Sequence, residues 1–309
     1  MQIKDALEFV RKESFGDFEA ELYMIEASDQ VPLAITRLAP QSGGKGVPVV
    51  LVHGSYCKRN FWVSSKGIGL GAALALEGFE VWIPELRGHG NSPKTDAYRT
   101  FSADDHICKD LPAIQKAVLG RTGVPAFWIG HSFGGLHLTG ALSLGVLSQD
   151  AIRGFVTLGS QIAYGDDYLK IPPIAWGMQQ LLRVLGVFHA PRFGLGPEVE
   201  PAAEVIEVIN WKKRGGRWMA KDGRLFEDGL PDISIPNLSF AGKADKGDPP
   251  EGCQLIFDAL GSKDKTFIVL ARENGFCEDY GHVEMVVSKQ AKKEVWPLIA
   301  SWCKERSAL

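Results

Sequence analysis

No stretch of this 309-residue chain approaches the roughly 18 consecutive apolar residues that a membrane-spanning helix needs. The opening residues, Met1-Gln2-Ile3-Lys4-Asp5, lack a cationic segment followed by an apolar run, so no signal peptide is expected. Cysteine is sparse. Cys57, Cys108, Cys253, Cys277 and Cys303 are odd in number and form no Cys-x-x-Cys pair. Neither a disulfide framework nor a zinc site is expected, and a reducing, cytoplasmic setting fits. No long run of one charge sign occurs, and the net charge is −3, which argues against nucleic acid as the main partner. Internal repeats and low-complexity tracts are also missing. What remains is 45% apolar and 23% charged residues, the composition of a soluble globular protein. The length suffices for one large α/β domain with an insertion, or for two ordinary domains, and for a core that needs no staples.

Residues 2–12 carry Ile3, Leu7 and Val10 at helical spacing and predict a short helix. Residues 18–28 and 31–38 alternate and predict an antiparallel hairpin at a sheet edge, turning at Ser28-Asp29-Gln30. Val47 to Val52 is unbroken apolar sequence, as in a central parallel strand buried on both faces. Further strands are expected over 81–83, 125–130, 155–158, 238–241 and 266–270, alternating with helices over 67–77, 103–119, 133–148, 251–260 and 284–304. Ser102 is expected to cap the second of these helices. Such alternation predicts an α/β fold with a mostly parallel central sheet covered by helices on both faces. The alternation stops near residue 160 and resumes near 235. Residues 161–232 are therefore expected to be a helical cap inserted into a core made of 1–160 and 233–309. The cap contains Ile174 to Phe188, too apolar for an ordinary surface helix, which predicts either a lid over an acyl cleft or buried core. Lys212, Lys213, Arg214 and Arg217 are expected on its solvated surface, and Lys221-Asp222-Gly223-Arg224 at a hairpin turn.

The chemistry centres on Gly130-His131-Ser132-Phe133-Gly134, where a short apolar strand gives way to a helix. Gly-x-Ser-x-Gly at a strand-to-helix turn puts the serine at a strained apex, with the following N–H groups at a helix N-terminus. A serine hydroxyl needs a base, and a histidine base needs a carboxylate to fix its tautomer. In open parallel sheets such groups lie beyond the carboxyl ends of strands. Ser132, Asp245 and His282 all fall there, in the order Ser, Asp, His. Asp248 lies close enough to substitute for Asp245, and Asp166 or Asp167 follows the preceding strand. Of the other histidines, His53, His89 and His131 belong to tight turns, His106 and His137 to helices, and His189 to the cap. For the oxyanion, Phe133 N–H is one donor by geometry. The other is expected from Ser55, with Tyr56 as the alternative. Tyr56, His131 and Trp176 are the side chains expected at the substrate. Arg87, in Arg87-Gly88-His89-Gly90, is expected to tie its loop to nearby acids such as Asp104 or Asp105. No metal ligand set is expected.

These residues resemble the α/β-hydrolase superfamily: Leu51-Val52-His53-Gly54, Val81-Trp82-Ile83-Pro84 followed by Arg87-Gly88-His89-Gly90-Asn91-Ser92, the Gly130–Gly134 elbow, and the contexts of Asp245 and His282. The likeness is to the lipase and esterase branches. Asn210-Trp211 through Gly215 and Arg217 to Phe226-Glu227-Asp228-Gly229 is similar to the late cap of acid-lipase-like enzymes. The resemblance implies an α/β-hydrolase fold and a carboxylic ester hydrolase with an acyl-enzyme and no cofactor. It implies a small-molecule or lipid-like ester as substrate, with an apolar acyl group. A thioesterase, an amide or C–C hydrolase or an acyltransferase would use the same triad, and a non-catalytic binding module is a more distant alternative. A serine nucleophile argues against the epoxide hydrolases and haloalkane dehalogenases of this fold, which usually use aspartate. The acid lipases are secreted or lysosomal, whereas no signal peptide is expected here. A homodimer is left open.

Overall fold

The first described element is a strand, not the helix expected over 2–12. The computed structural model describes residues 7–165 and 167–307, so residues 2–6 of that expected helix lie outside the described residues. β1 (Glu8–Phe15) runs antiparallel to β2 (Phe18–Glu26), pairing Glu8 with Met24 and Phe15 with Phe18. Phe9 meets Tyr23 edge-on at 5.8 Å. Pairing with a neighbouring strand satisfies backbone groups along the whole segment, and so overrides a short amphipathic pattern. The edge is largely exposed and carries Arg11, Lys12 and Glu13, charges that discourage further strand addition.

β2 and β3 (Pro32–Leu38) form the expected antiparallel pair. β4 (Pro48–Val52) is buried at every residue, as is β5 (Glu80–Glu85). Between them lies α1 (Leu70–Leu76). Ser102 begins α2 (Ala103–Asp105) with a reciprocal capping box: its side chain accepts from Asp105 N–H, and the Asp105 carboxylate accepts from Ser102 N–H at 3.1 Å. The helix expected over 103–119 continues through a wide π turn at 106–110 into α3 (Leu111–Thr122). Pro112 near the start of α3 has no N–H to donate, and the widened turn accommodates it.

β6 (Ala126–His131), α4 (Phe133–Ser143) and β7 (Ile152–Leu158) follow. Next come α5 (Pro172–Leu185), the two-residue pair β8 (Val187–Phe188) and β9 (Glu200–Pro201), and α6 (Ala202–Lys213). The chain then returns to the sheet with β10 (Asn237–Gly242), α7 (Pro250–Ala259) and β11 (Lys265–Leu270). The closing helix expected over 284–304 is broken into α8 (Glu284–Val287) and α9 (Ala291–Glu305). Ser288 makes the break: its backbone is extended, and its Oγ accepts from Ala291 N–H at 2.9 Å.

The sheet order is β1-β2-β3-β5-β4-β6-β7-β10-β11, parallel from β5 to β11 and antiparallel across the β1–β2, β2–β3 and β3–β5 pairs. Alternate residues serve opposite faces. Val49, Leu51, Val81, Ile83, Phe127 and Ile129 pack with residues of α1 and α9, such as Leu74 and Ile299. Val50, Val52, Trp82 and Trp128 pack with residues of α3 and α4, such as Ile114 and Leu138. Each such buried aliphatic side chain contributes on the order of 1.5–3 kcal/mol relative to exposure.

The segment between β7 and β10 departs from expectation in two places. α5 starts on Pro172 and ends at Gly186, whose φ of 73° supplies the left-handed C-terminus. Ala175 and Leu182 face a small apolar cluster with Ala202 and Ile209 of α6. The other face is open, with Leu181 58% and Val184 82% exposed, so this helix is neither buried throughout nor an ordinary polar surface helix. Lys212, expected on a solvated surface, is buried, and its Nζ donates to the Tyr164 carbonyl. Lys213, Arg214 and Arg217 are exposed as expected. Ala220 N–H donates to the Arg224 carbonyl around the expected hairpin turn. Among the described residues no helix is long and apolar enough to cross a membrane.

Candidate active site

Ser132 sits between β6 and α4 at φ 54°, ψ −127°. A non-glycine residue with positive φ costs on the order of 1–3 kcal/mol and persists only where its surroundings fix it. Here Ser132 N–H donates to the Leu158 carbonyl at 2.8 Å, while Gly135 and Leu136 N–H donate to the Ser132 carbonyl. The flanking chain is pressed tightly against the end of β4. A Cβ at Gly134 would lie 2.4 Å from the Val52 and His53 carbonyl oxygens, and one at Gly54 would lie 2.9 Å from both Ser132 Cβ and the His131 carbonyl oxygen. Glycine at both positions lets the loop after β4 lie over the serine. Phe133 is the first residue of α4, so its N–H belongs to the unsatisfied first turn of a helix.

Asp245 follows β10 and His282 follows β11. His282 Nδ1 lies 2.6 Å from Asp245 Oδ2. The other oxygen, Asp245 Oδ1, accepts from Gly247 N–H at 3.1 Å and Asp248 N–H at 2.9 Å. Burial pushes the Asp245 carboxyl up, but the His282 hydrogen bond and charge, with the two amides, bring it below the ordinary aspartate range. Burial pushes His282 down, yet the Asp245 hydrogen bond and the nearby Asp248 charge leave it above an ordinary histidine. Asp248 also comes close, with Oδ2 3.4 Å from His282 Nδ1, but its Oδ1 is taken by Gln161 Nε2 at 2.6 Å. Burial raises its carboxyl to about 6. Of the other acids considered, Asp167 is exposed and paired with Lys170 at 2.7 Å, and Asp166 lies outside the described residues.

Asp245, Asp248 and His282 are the one group among the described residues with ligand atoms close enough to hold a metal ion. A 2.6 Å N···O separation suits a shared proton. Two bonds of about 2.1 Å to one metal would set the ligand atoms further apart.

His131 links the elbow to the histidine loop. Its Nε2 lies 2.9 Å from the His282 carbonyl oxygen, and its ring lies 4.6 Å from those of both His282 and Phe61. Burial and the His282 charge lower it to about 3, so it is neutral and donates this bond. His131 is thus a buried support under His282 and not the substrate-facing side chain expected. Ser132 Oγ itself makes no hydrogen bond to His282 among the described residues. Catalytic hydrogen bonds are often long before substrate binds. Trp176, also expected at the substrate, is 62% exposed on α5. The Tyr56 ring packs on Phe188 at 5.7 Å.

The loop carrying Ser55 and Tyr56 is gripped by the segment that leads into α6. Tyr56 has φ 63°. Its N–H donates to Glu200 Oε1 at 2.5 Å, and its carbonyl accepts from Glu198 N–H at 3.0 Å. Glu200 is buried and is met by His89 Nε2, 3.1 Å from each carboxylate oxygen. His89 Nδ1 faces the Arg87 carbonyl at 3.2 Å. Both ring nitrogens thus point at acceptors, which requires the imidazolium. Burial pushes Glu200 up, but the His89 charge and hydrogen bond outweigh it and hold Glu200 at about 2. Next to it, His106 lies between Asp110 (3.0 Å) and Glu204 (3.1 Å). Burial disfavours its charge, and these two acids more than reverse that, raising it to about 10.

Arg87 pairs with Asp110 at 2.7 Å and Asp29 at 3.0 Å, not with the expected Asp104 or Asp105. No spacing in the sequence joins Glu200 to His89 or to Tyr56. The available signal was the concentration of histidines and acids in loops that all end on the carboxyl side of the sheet.

The sequence model of the alpha/beta hydrolase family matches residues 49–283. The lysosomal acid lipase/cholesteryl ester hydrolase of Homo sapiens is 32% identical over a 136-residue alignment that covers 39% of this chain and 34% of that protein. The matched stretch thus spans about a third of that relative's length. Among solved structures, a monoacylglycerol lipase of Paleococcus ferrophilus aligns with a TM-score of 0.61 at 22% identity, covering 89% of this chain and 99% of that one. A thermophilic esterase from Thermogutta terrifontis, malate bound, aligns with a TM-score of 0.61 at 18% identity, covering 92% and 98%. At these identities the two structures speak for the fold.

Proposed function

The chain belongs to the alpha/beta hydrolase family, and from that premise we propose that it is a serine hydrolase cleaving carboxylic esters with an apolar acyl part. Residues 161–232 serve as the cap over a core of 1–160 and 233–309. Ser132 Oγ attacks the ester carbonyl while His282 Nε2 takes its proton. Asp245 holds the His282 tautomer and stabilises the imidazolium. The tetrahedral oxyanion is met by the N–H groups of Ser55 and Phe133; the Tyr56 N–H is already engaged by Glu200. His282 then protonates the leaving alcohol, and water activated by the same ring releases the acid from the acyl-enzyme.

The observation that carries this reading is the 2.6 Å hydrogen bond between His282 Nδ1 and Asp245 Oδ2, beyond the carboxyl ends of β10 and β11. It commits Nδ1 to the carboxylate and leaves Nε2 for the nucleophile. The strained Ser132 backbone beside a helix N-terminus supports the nucleophile assignment. Kinship with a protein named as an acid lipase and cholesteryl ester hydrolase supports the substrate class. All five cysteines are free thiols, which fits a reducing compartment such as the cytoplasm. A fluorophosphonate probe tests the reading: we expect a single adduct on Ser132 in folded protein. Folded protein that forms none would be a binding module.

A further inference from the structure

The grip of the cap on the oxyanion loop goes beyond the triad. We propose that Glu200 is a positioning residue for ester hydrolysis: its carboxylate clamps the Tyr56 N–H and thereby aims the preceding Ser55 N–H at the oxyanion. The inference rests on the proposed ester hydrolase reading.

Four observations converge on it. Tyr56 is held at φ 63°, a backbone region that a tyrosine leaves unless something fixes it. Both of its backbone groups are fixed by one short segment, the N–H by Glu200 Oε1 and the carbonyl by Glu198 N–H. Gly196 completes the grip, since a Cβ there would lie 2.6 Å from Tyr56 Cβ. Glu200 also lines the same small cavity as Ser55 and Phe133, the two proposed oxyanion donors. The Ser55 N–H belongs to the preceding peptide and is joined to the clamped one through Ser55 φ and ψ. Anchoring Tyr56 through both of its backbone groups limits how far the adjoining Ser55 Cα can shift, and so restrains where the Ser55 N–H lies. His89 completes the device by keeping Glu200 ionised in a buried site, so that it accepts and never donates.

A positioning role differs from a structural one in what it moves. Donors aimed at the oxyanion act on the transition state, so their misalignment lowers kcat and leaves KM alone. We expect Glu200→Ala to lower kcat on a p-nitrophenyl ester about 10- to 100-fold, somewhat less than outright loss of a donor. KM should stay within about threefold. Affinity for a trifluoromethyl ketone, which forms a tetrahedral oxyanion adduct on serine, should fall in parallel. Glu200→Gln keeps an acceptor for the Tyr56 N–H and should restore kcat to within about threefold of wild type.

Glu200→Ala leaves His89 buried without its partner and can fail to fold for that reason alone. The double change Glu200→Ala with His89→Leu removes the uncompensated charge, and we expect the same loss of kcat. A folded single or double variant with wild-type kcat and ketone affinity overturns the inference while leaving the triad reading intact. A loss of kcat that Gln fails to restore also overturns it. Wild-type protein that neither turns over esters nor reacts with a fluorophosphonate at Ser132 removes the parent reading, and this one with it.

Discussion

His282 Nδ1 and Asp245 Oδ2 are 2.6 Å apart, and the other oxygen of that carboxylate is tied to the amides of Gly247 and Asp248. Asp245 therefore has one orientation, and His282 inherits it. Asp248 has its own anchor in Gln161 and stands 3.4 Å from the same nitrogen. We expect Asp245→Asn to lower kcat by about 10⁴, as tautomer control is lost. Asp248→Asn should cost no more than about tenfold, since this side chain is anchored on Gln161 and stands 3.4 Å from His282 Nδ1, against 2.6 Å for Asp245. Steady-state kinetics on one ester decide the matter. Equal losses in the two variants would make the carboxylates a shared pair.

The pH profile follows from the charges facing His282. Asp245, Asp248 and Glu284 favour its protonated form, and the neutral ring of His131 lies against it. The base must be neutral to accept the Ser132 proton. An imidazole raised above its ordinary value delays that, so kcat/KM should rise with pH and level off only above about 6.5. Removing an anion weakens the imidazolium, so Asp248→Asn should move this limb to lower pH. A limb that stays in place or moves upward would show that Asp248 does not act on the base.

His106 ties stability to pH. Flanked by Asp110 and Glu204, it is raised to about 10 in the folded protein. Its unfolded value is near 6.5. The folded state binds the proton more tightly, so this contribution is complete below about pH 6.5 and is lost as pH climbs toward about 10. Thermal unfolding between pH 6 and 10 should show Tm falling across that window, with a shallower fall in His106→Gln. Identical slopes in the two proteins would mean that His106 is neutral in the fold.

Much of this architecture was legible because it depends on short stretches. The unbroken apolar run at 47–52 reads as a strand buried on both faces, and β4 is one. The elbow is compressed into five residues whose glycines have visible reasons. The candidate acid and base each follow a strand, which is where chain order alone puts them. What was not legible depends on distant partners. Residues 8–15 form a strand because β2 lies beside them, and Lys212 is buried because Tyr164 receives it. The exposed face of α5 contradicts any rule that sends apolar residues inward, and Trp176 goes with it. Glu200 reaches Tyr56 across 144 positions and His89 across 111, so no local pattern could have paired them.

Gly54 offers a test of the loop that overlies the serine. A methyl group there would lie 2.9 Å from Ser132 Cβ and from the His131 carbonyl. One of the two segments must then move. A displacement of about 1 Å at reacting groups can cost about 100-fold in rate. We expect Gly54→Ala to lose activity on that order and to react more slowly with a fluorophosphonate, while circular dichroism stays native. Full activity in this variant would show that the loop yields freely and that its closeness to Ser132 is incidental.

The most direct test of the proposed chemistry is turnover of a p-nitrophenyl ester by purified wild-type and Ser132→Ala proteins, checked for equal folding. We expect the substitution to lower kcat by about 10⁶, by analogy with other triads. Hydrolysis at the wild-type rate by the alanine protein would contradict it.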